Sequence, residues 1–274
     1  MQSHNDAVIA ERHVVIVTGA GGVGCGRAIA MHFARAGAAV IVSDVNETGG
    51  NETVHLIEGD GGRAAFLRTD VRIESQVQDL VSFAETTFGA VTVLVNNASA
   101  PPGGDSISDW MGSLETDLMG TIYATRWAIE VMRRGGGGAI VNLASISALW
   151  HGRMTSGGFP GFDVAKSAVI RMTTRLAALA EQDRIYVNCL ASGWIATDGV
   201  LNYWESLTPA ERLERGVPSR LLTVDQVAET VMRLASDRSL AGRVLAWWSE
   251  DEPRLITWGD RGYRNFEAHP FSSR

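Results

Sequence analysis

Short runs of apolar, β-branched residues alternate along this chain with longer amphipathic segments. The short runs have the length of buried strands, and the longer segments repeat their apolar positions at the spacing of a helix face. This alternation predicts a parallel sheet that is covered by helices on both faces. We expect strands at 14–17, 40–43, 64–67, 91–95, 139–143, 185–190 and 243–247.

The helices are expected at 24–36, 73–88, 106–134, 161–182 and 223–236. A weaker helix is predicted at 47–60, because Gly49 and Gly50 each cost about 1 kcal/mol relative to alanine. The glycines at 135–138 indicate a loop before the fifth strand, with a hinge as the alternative. No linker or internal repeat divides the alternation, so we predict one α/β domain with a doubly wound, mostly parallel, seven-stranded sheet.

Composition narrows the functions that this domain can have. The 274 residues carry a formal net charge of −7, which provides no basic surplus for nucleic acid or anionic membranes. Cys25 and Cys189 are the two cysteines, and their spacing predicts neither a disulfide nor a metal site. The first 12 residues lack the apolar core of a secretory signal, and no run has the length of a membrane span, so we expect a cytoplasmic protein.

A glycine-rich turn follows the first strand and leads into the first helix, with Gly19, Gly24 and Gly26 at its key positions. Glycines allow the backbone to approach a pyrophosphate, whose charge is stabilised by unpaired amides at the helix N-terminus. Asp44 ends the second strand at the separation from Gly24 where a carboxylate accepts from the adenosine ribose hydroxyls. That carboxylate would repel the 2′-phosphate of NADP, so NAD is the predicted cofactor. The alternatives are an ordinary tight turn and an Asp44 that starts the next turn.

The glycine turn resembles the first loop of the short-chain dehydrogenases/reductases, T-G-x-x-x-G-x-G, with one additional residue before Gly24. Gly21 and Gly22 would allow this extra residue to loop outward. Three later segments, 69–71, 96–98 and 192–197, match the family in order and each follows a strand. Ser99 and Ser192 depart from the glycine and proline that the family usually has there.

The resemblance implies a single-domain Rossmann fold and a set of cofactor contacts. It implies an NAD-binding Rossmann domain over 12–250, an N-terminal extension at 1–11, and a tail at 251–274 that packs on the domain or a partner subunit. Beyond Gly19, Gly24, Gly26 and Asp44, the contacts it implies are Asp70 and Val71 at the adenine, Asn97 and Ala98 along the cofactor, Lys166 at the nicotinamide ribose, and Ile195 and Thr197 at the carboxamide.

The family's catalytic residues are only partly present. The resemblance places Ser145 as the serine that orients the substrate carbonyl and Lys166 as the lysine of the following helix. Phe162 stands where the family has its proton-transferring tyrosine, and Asp117 stands where it has an asparagine. Because phenylalanine carries no exchangeable proton, the family's mechanism is incomplete in this chain.

Two further residues, His151 and Tyr203, fall in segments that border the pocket by resemblance, and each is a candidate substitute acid or simple pocket lining. Aromatic residues near the same pocket indicate a bulky apolar or aromatic ligand, the alternative being core or subunit packing. They are Trp150, Phe159, Phe162, Trp194 and Trp204.

Two functions remain open from the sequence. The first is an NAD-dependent oxidoreductase acting on an alcohol or carbonyl, with non-standard or impaired proton transfer. The second is a non-catalytic NAD-binding sensor or partner subunit derived from the same family. The resemblance implies a homodimer or homotetramer formed through 106–134 and 161–182, where the small residues at 177–180 offer an apolar patch. A second candidate surface comes from Trp247, Trp248, Trp258, Tyr263 and Phe266.

Overall fold

The computed structural model describes residues 13–150 and 158–259 of the chain, and these form an α/β fold around one eight-stranded sheet. Strands β1 to β7 are parallel, and β8 pairs antiparallel with β7 at the edge. The strand order is β3-β2-β1-β4-β5-β6-β7-β8. The strands are β1 Val14–Thr18, β2 Ala39–Asp44, β3 Arg63–Arg68, β4 Val93–Asn96, β5 Gly138–Ser145, β6 Ile185–Ser192, β7 Val244–Trp247 and β8 Arg254–Leu255.

This arrangement confirms the doubly wound, mostly parallel sheet with its seven predicted strands. The two-residue strand β8 was not predicted, because a pair of residues is too short to show a period of two. Strand order reverses between β1 and β4, and the crevice at the carboxyl ends of these strands is where such folds bind ligands.

Helices cover both faces of the sheet. Alternating residues of β1 enter two separate cores: Val15 and Val17 pack with α1 and α9, while Val14 and Ile16 pack with α3 and α4. Within the described residues, no helix is long and apolar enough to cross a membrane. The helices are α1 Cys25–Arg35, α2 Glu47–Gly59, α3 Glu74–Phe88, α4 Gly120–Gly135, α5 Pro160–Arg175, α6 Leu179–Asp183, α7 Asp198–Glu205, α8 Pro209–Glu214 and α9 Val224–Ser236.

The two longest predicted helices are interrupted. The stretch predicted at 106–134 starts as a 3₁₀ turn at Ile107–Trp110, passes through Met111–Ser113 and a π-helix at Leu114–Met119, and continues as α4. The stretch predicted at 161–182 divides into α5 and α6. Leu179 turns into the core after this break, so the small-residue surface expected at 177–180 is partly buried in the chain's own interior.

The predicted weak helix forms as α2, capped by the Asn46 side chain, which accepts from Gly49 N at 3.1 Å. Both of its early glycines serve close packing. A Cβ at Gly49 would overlap the carbonyl of Gly21, and one at Gly50 would overlap the ring of Phe66. A loop also precedes β5, but it is shorter than the predicted 135–138. Gly135 ends α4 and Gly138 begins β5, so the loop consists of Gly136 and Gly137, which have φ of 91° and 120°.

Candidate active site

The glycine turn after β1 is fixed to the end of β4 by hydrogen bonds. Thr18 Oγ1 accepts from the backbone N–H groups of Asn97 and Ala98, each at 3.1 Å. Asn97 Nδ2 in turn donates to the carbonyls of Thr18 and Gly19 at 2.9 Å. A Cβ at Gly26 would overlap the Gly19 carbonyl, so the turn closes tightly on the start of α1 only with glycine there.

The extra residue of this turn bulges toward solvent, as the resemblance requires. Gly22 and Val23 are exposed, and a Cβ on Gly22 would meet no atom within 4 Å. Gly21 instead faces inward and donates its N–H to Asp44 Oδ2 at 2.8 Å. The inserted residue therefore lies on the solvent side of the turn, and the segment from Gly24 to Gly26 still leads directly into α1.

A cleft of about 290 Å³ lies at the carboxyl ends of β1, β2 and β3. Asp44 Oδ1 accepts from Asn46 N at 2.9 Å, so both carboxylate oxygens are anchored to the backbone. Arg72 forms a salt bridge with Asp70, and its hydrogen bonds lower the pKa of the Asp70 carboxyl. The cleft is lined by predicted cofactor residues, namely Gly19, Asp44, Asp70, Val71 and Ala98.

A larger cavity of about 860 Å³ lies at the carboxyl ends of β4, β5 and β6. Ser145, at the end of β5, accepts at Oγ from Ser147 N at 3.2 Å and from Ser147 Oγ at 2.9 Å. These contacts fill its acceptor positions and leave its hydroxyl proton to donate to a ligand. The cavity brings together the predicted residues Asn97, Ser145, Phe162, Lys166, Ile195 and Thr197.

Lys166 lines this cavity from the middle of α5, and its side chain is 5% exposed. Its Nζ donates to the carbonyl of Leu143 at 3.1 Å and pairs with Asp117 Oδ1 at 2.8 Å. The Phe162 ring centroid is 5.4 Å from the same nitrogen. Phe162 and Lys166 therefore share one face of α5, as their spacing predicted.

Asp117 lies behind Lys166, in the π-helix, and its side chain is 0% exposed. Ser99 Oγ donates to Asp117 Oδ1 at 2.5 Å, and Ala100 N donates to Oδ2 at 3.2 Å. Three departures from the resemblance, at 99, 117 and 162, thus surround one ammonium group. The sequence pattern gives no sign of this contact, because Ser99 and Asp117 come from separate elements.

The composition contains a feature that the motifs do not show. The chain has 24 basic residues of the Lys and Arg type, and Lys166 is the single lysine among them. The other 23 are arginines, so the one lysine of the chain is the residue whose side chain lines the large cavity.

Tyr203, one of the two candidate acids, lines the large cavity together with Lys166. Tyr203 stacks on Trp194, with ring centroids 6.0 Å apart, and its interaction with Arg215 raises the pKa of that guanidinium. Trp204 packs under Arg212 and does not line the large cavity. Trp150 lines a neighbouring cavity of about 440 Å³, and His151, the other candidate acid, lies outside the described residues.

Cys25 lines the large cavity, and burial raises the pKa of its thiol to about 11, so the thiol is protonated at neutral pH. Both cysteines are free. Across 13–150 and 158–259, no three His, Cys, Asp or Glu side chains form a group that could hold a metal ion.

Comparison with known proteins identifies the family. The model of the short chain dehydrogenase family matches residues 13–207. The chain belongs to the short-chain dehydrogenase/reductase (SDR) family. An SDR of Aspergillus oryzae is 33% identical over 234 residues, which cover 82% of this chain and 88% of the relative.

Two further relatives match this chain over most of their own length and most of its length. Cis-4-hydroxycyclohexanecarboxylate dehydrogenase of Sinomonas cyclohexanicum is 34% identical over 86% of this chain and 95% of its own. The solved structure of 7 alpha-hydroxysteroid dehydrogenase with NADH and 7-oxo glycochenodeoxycholic acid superposes with a TM-score of 0.77. It is 26% identical, and the match covers 89% of this chain and 96% of the other. These SDR relatives are oxidoreductases, and the chain shares their family.

Proposed function

We propose that this SDR is an NAD-dependent oxidoreductase that interconverts an alcohol and a carbonyl compound, with proton transfer that does not use a tyrosine. The observation that carries the proposal is that Ser145 and Lys166 line the same cavity. A hydroxyl donor and an ammonium that face the same space can bind and polarise a substrate oxygen.

The residues around the two cavities fit a nicotinamide dinucleotide. The close contact between Gly26 and Gly19 leaves backbone amides at the start of α1 for a pyrophosphate, and the adjoining cleft has the size for an adenosine. Asp44 would accept from the ribose hydroxyls, while Ile195 and Thr197 would hold the carboxamide. When bound, the cofactor supplies or accepts a hydride.

The remaining roles belong to the chain's own side chains. Ser145 would donate its free proton to the substrate oxygen, and Lys166 would bind the nicotinamide ribose. Phe162 supplies no proton, and a positioned acid or base is typically worth about 10²–10⁴ in rate. We therefore expect turnover that is slow for an SDR with this pocket.

The walls of the cavity favour a bulky ring substrate. Phe159 and Phe162 pack edge to face with centroids 6.3 Å apart, and Trp194 stacks on Tyr203 across the same cavity. Flat apolar walls of this kind suit a cyclic, mostly apolar molecule. The two relatives named for a hydroxycyclohexane acid and a hydroxysteroid support ring alcohols as the first candidates.

A non-catalytic NAD-binding protein is the second candidate, and one observation favours it. Asp117 forms a buried ion pair with Lys166, the residue that a proton relay would otherwise use. Incubation with NAD and a panel of ring alcohols separates the candidates. NADH absorbance supports the oxidoreductase, whereas binding without any absorbance change supports the sensor.

The cofactor assignment is tested by fluorescence titration with NADH and NADPH. We expect clear preference for NADH, because Asp44 meets hydroxyls in one cofactor and a phosphate charge in the other. Asp44→Ala should narrow the difference, while Asp225→Ala, which removes an exposed carboxylate from α9, should leave it unchanged. Equal or tighter NADPH binding by the wild type would remove Asp44 from its proposed role.

Subunit assembly and location complete the proposal. We propose a homodimer or homotetramer, supported by exposed apolar residues such as Met111 and Val164 on the helices at 107–135 and 160–175. A cytoplasmic location is supported by two cysteines that remain free thiols, as is usual in a reducing compartment. The division into 1–11, 12–250 and 251–274 stays a prediction.

A further inference from the structure

We propose that Lys166 is the proton-transferring residue of this site and that Asp117 is its positioning residue. The inference rests on the oxidoreductase function proposed above and names the group that replaces the missing tyrosine. It is carried by the geometry around one nitrogen atom, Nζ of Lys166.

The Lys166 ammonium keeps N–H groups for ligands. Leu143 O accepts one of its three N–H groups, and Asp117 Oδ1 forms an ion pair with Nζ at 2.8 Å. The side chain lines the large cavity, so N–H groups remain for the nicotinamide ribose and for a substrate oxygen. Phe162 lies beside it with its ring centroid 5.4 Å from Nζ and offers no competing acceptor or donor. The ammonium is therefore the protonated group that a substrate oxygen held by Ser145 would meet.

The carboxylate of Asp117 is held in place beside this ammonium by its own hydrogen bonds. This carboxylate is fully buried, and Ser99 Oγ and Ala100 N supply donors in addition to Lys166. Hydrogen-bond donors on both oxygens fix the orientation of the carboxylate. Cys189 also faces Lys166, from β6, and burial raises the pKa of its thiol to about 12, so it stays neutral.

The step balances with the nicotinamide cofactor of the proposed function as hydride donor or acceptor. In the reducing direction the carbonyl carbon would receive a hydride from the reduced cofactor, and its oxygen takes a proton from Lys166. An O–H bond forms, the N–H bond breaks with its electron pair left on Nζ, and solvent entering the cavity restores the ammonium. In the oxidising direction the substrate hydroxyl gives its proton to the neutral amine, the hydride on the carbon would pass to the oxidised cofactor, and the new ammonium returns its proton to solvent.

The lone lysine allows a direct test that needs no substrate. Protein labelled with ¹³C,¹⁵N-lysine contains one labelled residue, so its NMR side-chain signal reports Lys166 alone. Adding NADH should shift this signal. Asp117→Asn should lower the pH midpoint of the signal's titration, because the variant removes the carboxylate that pairs with Nζ.

Two variants accompany this titration. Ser99→Ala removes only the hydroxyl that orients Asp117 and should lower the midpoint by less, which keeps the test usable if Asp117→Asn folds poorly. Glu130→Gln removes an exposed carboxylate from α4 and should change nothing. An Asp117→Asn or Ser99→Ala midpoint equal to that of the wild type would refute the positioning role.

The pH profile of turnover then tests the chemistry. With a ring alcohol that the wild type oxidises, or with its ketone, the rate should change with pH at the NMR midpoint of Lys166 and move with it in the variants. A rate profile that stays in place while the lysine signal moves would overturn this proposal and leave the oxidoreductase function standing. NADH binding with no turnover of the panel would overturn both.

Discussion

Phe162 and Lys166 define the chemistry of this SDR at the scale of single residues. The two side chains lie on one face of α5, with the Phe162 ring centroid 5.4 Å from Nζ. A hydroxyl on that ring would enter the same cavity as Ser145. If Phe162 occupies the position of the family's tyrosine, as the resemblance implies, a phenol oxygen is missing at this point of the cavity.

Phe162→Tyr should raise turnover of any accepted ring alcohol, by up to about 10²–10⁴, with little change in NADH affinity. The ammonium would lower the pKa of the new phenol and make it a better proton carrier. Phe159→Tyr adds a hydroxyl to the neighbouring ring of the same cavity and serves as the control. Steady-state kinetics of both variants decide the matter; an unchanged or lower rate for Phe162→Tyr would show that no hydroxyl is missing there.

The effect of Asp117→Asn on turnover should have opposite signs in the wild type and in the Phe162→Tyr variant. In the wild type it removes the carboxylate that holds Lys166 and should slow turnover. In the Phe162→Tyr background it frees the ammonium to act on the phenol and should increase the rate further. Comparing the four proteins in a double-mutant cycle measures this coupling, and purely additive effects would contradict it.

The sequence predicted much of this site because its residues follow strand ends. Ser145 and the motifs at 69–71, 96–98 and 192–197 all come directly after buried strands, where parallel sheets place ligands. The contact of Ser99 with Asp117 could not be predicted. It depends on how a loop after β4 meets a π-helix, and neither periodicity nor spacing encodes that distance.

At the scale of elements, the π-helix at Leu114–Met119 and the glycines of α2 show what periodicity and helix propensity do not predict. A π-helix adds a residue to one turn, which hydrophobic periodicity cannot distinguish from a continuous helix. The turn also brings Asp117 to Lys166, and π-helices frequently occur at functional sites. The prediction of α2 as a weak helix weighed propensity alone and could not include the packing of Gly49 on the glycine turn.

Gly49→Ala should destabilise the protein by about 1–3 kcal/mol through overpacking and should weaken NADH binding. The added methyl would push against the Gly21 carbonyl, which belongs to the turn beside Asp44. Gly59→Ala, in the same helix but with open space around it, should instead stabilise by up to about 1 kcal/mol. Urea unfolding and NADH fluorescence measure both effects, and equal behaviour of the two variants would contradict the packing argument.

At the scale of the whole molecule, the parallel sheet with helices on both faces was predictable and the outer surface was not. Continuous apolar strands require two covered faces whatever the details of the helices. Which helix faces stay exposed depends on packing angles, and the structure leaves Ile107, Met111 and Val164 open on neighbouring segments. Tyr263 and Phe266 of the expected second surface lie outside the described residues.

The protein should be a dimer or tetramer at micromolar concentration, because those open apolar side chains favour burial between subunits. Val164→Glu should shift the assembly toward the monomer, since it places a charge on the exposed face of α5. Leu213→Glu, at an 85% exposed position of α8, should leave the assembly unchanged. Light scattering of the three proteins tests this, and a monomeric wild type would refute it.

The lone lysine also gives the chain an uncommon response to proteolysis. A lysine-specific endoprotease can cut this protein at one peptide bond, between Lys166 and Ser167, inside α5 and beside the buried core. Cleavage into residues 1–166 and 167–274 therefore requires that α5 open, so the digestion rate reports the open population of the native protein. NADH should slow the cut in proportion to its occupancy, because a ligand that binds the folded state lowers that population.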